Sequence, residues 1–141
     1  MARLLQTPLA QMQAIVDFDL NKPGATQGNK YLMYSLHDFQ IALMLKWLQP
    51  VNFQWFMVPY ASQFFFELYK SDGCTAKDET CFYVKTTYNS ASLGFKTCQS
   101  KDDPQGQKCS FPDFKTYLAS ISPVGNLADL CNKTWPKPQQ S

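Results

Sequence analysis

The sequence holds one histidine, His37, and one arginine, Arg3, against twelve lysines. A mixed cysteine–histidine metal site therefore has little to draw on. The lysines are spread along the chain without a run and the formal net charge is only +2. That balance excludes a nucleic-acid surface and a polybasic membrane anchor. Long apolar runs are missing too. The most apolar stretch, Ile41 to Leu45, is cut by Lys46 and Pro50, far short of the roughly 20 apolar residues that a spanning helix requires. The opening MARLLQTPLAQMQAIVDFDL has polar residues at helical spacing, unlike the unbroken apolar core of a signal peptide. No internal repeat is present.

What is present suffices for one core. In 141 residues, 45% are apolar and 15% aromatic, which suits a single domain or a piece of one. Five cysteines, Cys74, Cys81, Cys98, Cys109 and Cys131, all lie in the second half in loop-like surroundings, and disulfides are the expected use. A glycosylation sequon, Asn132-Lys133-Thr134, follows Cys131 and matters only in a chain that enters the secretory route. An oxidised chain without a signal peptide leads us to expect a true N-terminus upstream of Met1. The odd cysteine count agrees, with Cys131 expected to be unpaired within this segment.

From Leu4 to Phe18 the apolar residues recur near a period of 3.6, predicting an amphipathic helix, stopped by Asn21-Lys22-Pro23-Gly24. Tyr31 to Ser35 is apolar on both faces, as a strand inside a helix-covered sheet would be. A second, more deeply buried helix is expected over Phe39 to Leu48, closed by Gln49-Pro50. Helix, strand, helix is an α/β order. Gln63–Tyr69 and Cys81–Tyr88 predict two strands around a polar loop whose base a Cys74–Cys81 bridge would close. A Cys98–Cys109 bridge would close a second polar loop, and a last helix is expected from Phe114 to Ile121. The tail after Cys131 is rich in Pro and Gln and reads as loose.

The chemistry-bearing candidate is Tyr34-Ser35-Leu36-His37-Asp38. It falls where the expected strand gives way to a helix, the edge at which open α/β sheets bind ligands and where a helix N-terminus favours anions. A His beside an Asp there can hold a phosphoryl oxygen while the acid protonates a leaving group, provided the carboxyl pKa is raised. The plainer reading is a His packed on an apolar face beside a helix-capping Asp.

That segment, followed by Pro59-Tyr60-Ala61-Ser62, then Phe66-Glu67-Leu68-Tyr69, then Tyr88-Asn89, resembles the C-terminal part of the histidine acid phosphatase family in order and spacing. The resemblance runs from about Leu4 to Cys131 and is most specific between Tyr31 and Tyr69. It implies the C-terminal portion of one histidine-phosphatase-like α/β sandwich over residues 1–131, with a β-hairpin and disulfide-braced loops, and a loose tail over 132–141. His37 would be the second active-site histidine, contacting the phosphoryl group, and Asp38 the general acid. Cys98 and Cys109 would match a short disulfide loop of the family, and Cys131 a late cysteine that pairs with the N-terminal half. The sequence departs at Phe39, where the family usually has Thr, and at Leu36, where small residues are common. No cofactor or metal is implied.

The family nucleophile is a histidine in an Arg-His-Gly motif, with several arginines clamping the phosphate, and this sequence has neither. Phosphohistidine chemistry needs both. The resemblance therefore implies a phosphate monoesterase active at acid pH only with its N-terminal half, in a secreted, cell-surface or lysosomal setting, the segment alone being inactive. The alternative is a non-catalytic, disulfide-braced structural or binding module. A Ser62–His37–Asp38 triad lacks a nucleophile-elbow sequence. Glu67 reads as a structural hydrogen-bonding partner. Phe53, Trp55, Phe56, Phe64, Phe65 and Phe66 read as core, part of it a surface once covered by the other half.

Overall fold

The structure, a computed structural model, describes residues 2–54 and 57–122. Helix α1 spans Ala2–Asp19 and α2 spans Asp38–Leu48. Strands β1 (Phe64–Lys70), β2 (Phe82–Tyr88), β3 (Ala91–Leu93) and β4 (Cys109–Ser110) precede α3 (Phe111–Ile121). All strand pairs are antiparallel. β1 and β2 form the expected hairpin, with Phe64 opposite Tyr88 and Lys70 opposite Phe82. On its other side β2 pairs with β3 at one end and β4 at the other.

The core follows from side-chain period. Along β2 every second residue, Phe82, Val84, Thr86 and Tyr88, is buried, as a half-buried strand requires. Helix α3 lays Phe111, Phe114, Tyr117 and Leu118 into the same core, at the spacing of one helical stripe. Leu5, Met12 and Val16 of α1 and Met44 and Leu48 of α2 complete it. Two long-range bonds hold α2 to α3: the Trp47 indole N–H donates to the Ile121 carbonyl at 2.9 Å, and the Tyr117 hydroxyl donates to the Leu48 carbonyl. Burial pushes the Tyr117 phenol above its ordinary pKa.

Cys74 is bonded to Cys81 and Cys98 to Cys109. The second loop folds back tightly, because a Cβ on Gly94 would overlap the Gln105 carbonyl oxygen and one on Gly106 the Phe95 carbonyl.

Three expectations are corrected. Residues 31–35 form no strand: they are extended but unpaired, with Tyr31 73% and Met33 79% exposed. An apolar pattern states what a segment would do in a sheet, and no described strand lies beside this one. Helix α3 begins at Phe111, three residues earlier than expected, because Ser110 caps it by accepting from the Asp113 N–H, with Pro112 in the first turn. Phe65, expected in the core, is 42% exposed on the outer face of β1, whereas Phe53, Phe64 and Phe66 are half-buried. Trp55, Phe56, Cys131, Asn132 and the tail 132–141 lie outside the described residues.

Candidate functional site

His37 is the N-cap of α2, with extended backbone at φ −84° and ψ 161°, and Asp38 is the first residue of the helix. The helix starts here for local reasons. The Gln40 side-chain oxygen accepts from the His37 N–H at 2.9 Å, and the Asp38 carboxylate accepts from the Phe39 N–H at 2.7 Å. Each bond satisfies a donor near a helix end that lacks an intrahelical partner. The negative charge of Asp38 also sits favourably at the positive end of the helix dipole.

Both side chains are exposed. His37 does not pack into the core; its ring stacks on that of Phe39 at 6.3 Å with 12° between planes, and Phe39 is itself 59% exposed. The helix is therefore less deeply buried than its apolar content suggests, since Phe39 and Leu43 face outward while Ile41, Met44, Leu45 and Leu48 face in.

The motifs far apart in the sequence converge at this end of the molecule. Ile41, Leu45, Tyr88 and Leu93 form a small buried cluster, and Leu36, Val58 and Phe64 pack against it. Leu36 and Ile41 bracket His37-Asp38, and Val58 and Phe64 bracket the turn Pro59–Ser62. The turn is knitted to the end of β2. Ser62 Oγ donates to the Pro59 carbonyl at 2.8 Å, accepts from Asn89 Nδ2 at 3.1 Å and lies 3.3 Å from the Tyr88 hydroxyl. The Asn89 side-chain oxygen accepts from the Gln63 N–H at 2.8 Å, and the Asn89 N–H returns a bond to the Gln63 carbonyl at 2.9 Å.

Among the described residues no hydrogen bond joins Ser62 to His37, so the geometry does not assemble a Ser–His–Asp relay. Glu67 is a hydrogen-bond acceptor on the outer face of β1: the Tyr69 hydroxyl donates to it at 3.2 Å, and the nearby carboxylate raises the Tyr69 pKa. Among the described residues no cluster of three or more His, Cys, Asp and Glu could hold a metal ion, and no helix is long and apolar enough to cross a membrane.

Sequence reasoning missed a polar network that joins α1, α3 and the turn before β2. Glu79, in a short 3₁₀ turn before β2, accepts from Gln13 of α1 at 2.7 Å and from Lys115 of α3 at 2.5 Å. Lys22 bridges Asp17 at 2.7 Å and Glu79 at 3.5 Å. Nothing in the local pattern of these residues points to one another. No family model, curated protein or solved structure matches the chain.

Proposed function

We propose that this chain supplies the acid-bearing half of a histidine acid phosphatase, with His37 and Asp38 in its active site. The observation that carries the reading is the exposed His37-Asp38 pair at the start of α2, reached through an apolar extended segment that no described strand covers. A complementary segment that covers 31–36 would bury the pair as well. The order of His37-Asp38, Pro59–Ser62 and Glu67-Leu68-Tyr69 supports the same family, as does the meeting of the residues around the first two motifs in one cluster.

In this mechanism a histidine of the complementary half attacks the phosphorus of a phosphate monoester. The ester P–O bond breaks, its electron pair stays on the leaving oxygen, and Asp38 gives that oxygen a proton. His37 donates a hydrogen bond to a phosphoryl oxygen and offsets its charge. Water then attacks the phosphohistidine and loses its proton to the Asp38 carboxylate, releasing phosphate. With one histidine and one arginine in the chain, the nucleophile and the arginine clamp come from the other half, to which Cys131 would be bonded. The finer fold, an α/β sandwich completed by that half, belongs to the same proposal. So does residence in a secreted, cell-surface or lysosomal compartment, which the two disulfides suit.

The test is turnover by the chain joined to a half that bears Arg-His-Gly. Asp38→Ala should slow hydrolysis of alkyl phosphates by about 10²-fold or more and that of nitrophenyl phosphate far less, because nitrophenolate leaves without a proton. Equal slowing of both would remove the acid role. No turnover in any joined form would leave the chain a structural or binding module.

A further inference from the structure

Between α1 and α2 the chain crosses residues 31–35 without a helix, strand, turn or bend. All five residues are exposed, and among the described residues their backbone makes no hydrogen bond. Both ends of this stretch are pinned. Gly28 lies so close to α1 that a Cβ there would come within 2.7 Å of the Gln11 carbonyl oxygen, and the Asn29 N–H donates to the Gln11 side chain at 2.8 Å. At the other end Leu36 packs on the core and His37 caps α2. Other exposed connections are folded on themselves. The turn at Pro59–Ser62 is closed by the Ser62 hydroxyl and bends at Ala61 with φ 56°, and the two polar loops are closed by disulfides. Endopeptidases take their substrates as a straight stretch of several residues, so backbone that is neither buried nor hydrogen-bonded is cut first.

We propose that residues 31–34 are a cleavage site for an endopeptidase that accepts a large apolar or aromatic side chain on the acyl side, cutting after Tyr31 or Met33, and that the cut chain persists as a two-piece domain. Tyr31 and Met33 are 73% and 79% exposed and alternate with Leu32 and Tyr34 at 37% and 45%, so they are the side chains most free to enter a specificity pocket. The peptide C–N bond after one of them breaks. Water supplies the hydroxyl of the new carboxyl group and a proton to the new amine, and nothing is oxidised or reduced. The first piece keeps α1, whose Leu5, Met12 and Val16 stay buried in the shared core. Gln13–Glu79 and Lys70–Asp19 contacts, each at 2.7 Å, also cross the cut. That piece has no cysteine, and both described bridges lie in the second, so the pieces are held together without a covalent bond. The inference concerns the chain with 31–36 uncovered. A complementary half would shield this segment, so protection in a joined form bears on the phosphatase reading and not on this one.

The probe is chymotrypsin, added sparingly to the disulfide-intact chain, with products read by intact mass. The first cut within residues 2–122 is expected after Tyr31 or Met33. The two pieces should elute together in native gel filtration and separate in urea without reductant. A segment that needs no unfolding is cut at a rate independent of opening, whereas a cut that waits on opening speeds up as opening becomes frequent. Mild urea should therefore leave this rate unchanged relative to a synthetic peptide of residues 29–36 in the same buffer. The double variant Tyr31→Thr, Met33→Thr should slow the cut by about tenfold or more, the low end of what a pocket loses with a large apolar side chain. Both residues are exposed, so the variant keeps its core, which an unchanged circular dichroism spectrum checks. Four results would overturn the proposal. One is a first cut elsewhere in residues 2–122. Another is a cut at 31–34 that mild urea accelerates relative to the peptide, which would mean that the segment is held closed. The third is a double variant cut as fast as the parent, and the fourth is pieces that separate under native conditions.

Discussion

Lys115 on α3 donates to Glu79, 36 residues earlier, and the same ammonium donates to Gln13 on α1 at 2.8 Å. One lysine thereby ties the two outer helices to the turn that precedes the central strand. Hydrogen bonding from Lys115 holds the Glu79 carboxyl below its ordinary pKa, and that from Lys22 does the same for Asp17.

The sign of the resulting pH dependence follows from proton binding. Both carboxyls have lower pKa values folded than unfolded, so the unfolded chain binds more protons in acid and stability rises with pH through that window. The contribution is complete above the unfolded values of 4.5 and 3.8 and is lost as pH falls through the depressed folded values. Urea midpoints are therefore expected to be level near pH 5 and to drop below pH 4. Glu79→Gln should cost about 1 kcal/mol near pH 7, and the difference from the parent should shrink in strong acid. A constant difference at every pH would show that the pair acts by packing and not by charge.

The bridges Cys74–Cys81 and Cys98–Cys109 close loops with sequence separations of 7 and 11. Chain entropy assigns each about 2–3 kcal/mol. Cys98 and Cys109 are both buried, so the double serine variant Cys98→Ser, Cys109→Ser should lose at least that much in urea titration. The larger loss is expected from this pair, since its bridge also joins β4 to the core.

Thr86 is buried in the middle of β2, and its hydroxyl has no hydrogen-bond partner among the described residues. Valine has nearly the same shape without the polar atom. Thr86→Val should therefore stabilise the chain by about 1 kcal/mol, read as a higher urea midpoint at unchanged slope. A destabilised variant would mean that the hydroxyl has a partner.

His37 and Asp38 are exposed and their contacts are local. His37→Ala and Asp38→Asn should each change the unfolding free energy by no more than about 0.5 kcal/mol. Collapse of either variant would make the pair a structural cap and remove the reason to place it in an active site.

Much of the fold was legible where local physics governs it. The 3.6 period over Leu4–Phe18 marked α1, and Pro50 marked the end of α2. The aromatic and β-branched runs around a polar loop marked the hairpin, and the cysteine spacing marked both bridges. The early start of α3 was readable in Ser110-Phe111-Pro112-Asp113, a cap followed by a first-turn proline and acid. The strand expected at 31–35 could not be decided from its own residues, since a strand exists only against a neighbour. The candidate pair His37-Asp38 was visible as a dipeptide, but its exposure was not.

The sequence alone determined the periodic elements, the two closed loops and the shortage of histidine and arginine, because each depends on neighbouring residues or on a count. Tertiary structure decided that Ser62 binds Asn89 instead of His37, that Glu79 gathers Gln13, Lys22 and Lys115, and that β2, not β1, is the strand with three partners among the described residues. These depend on which distant backbones come together, and that is set by the burial of the shared core.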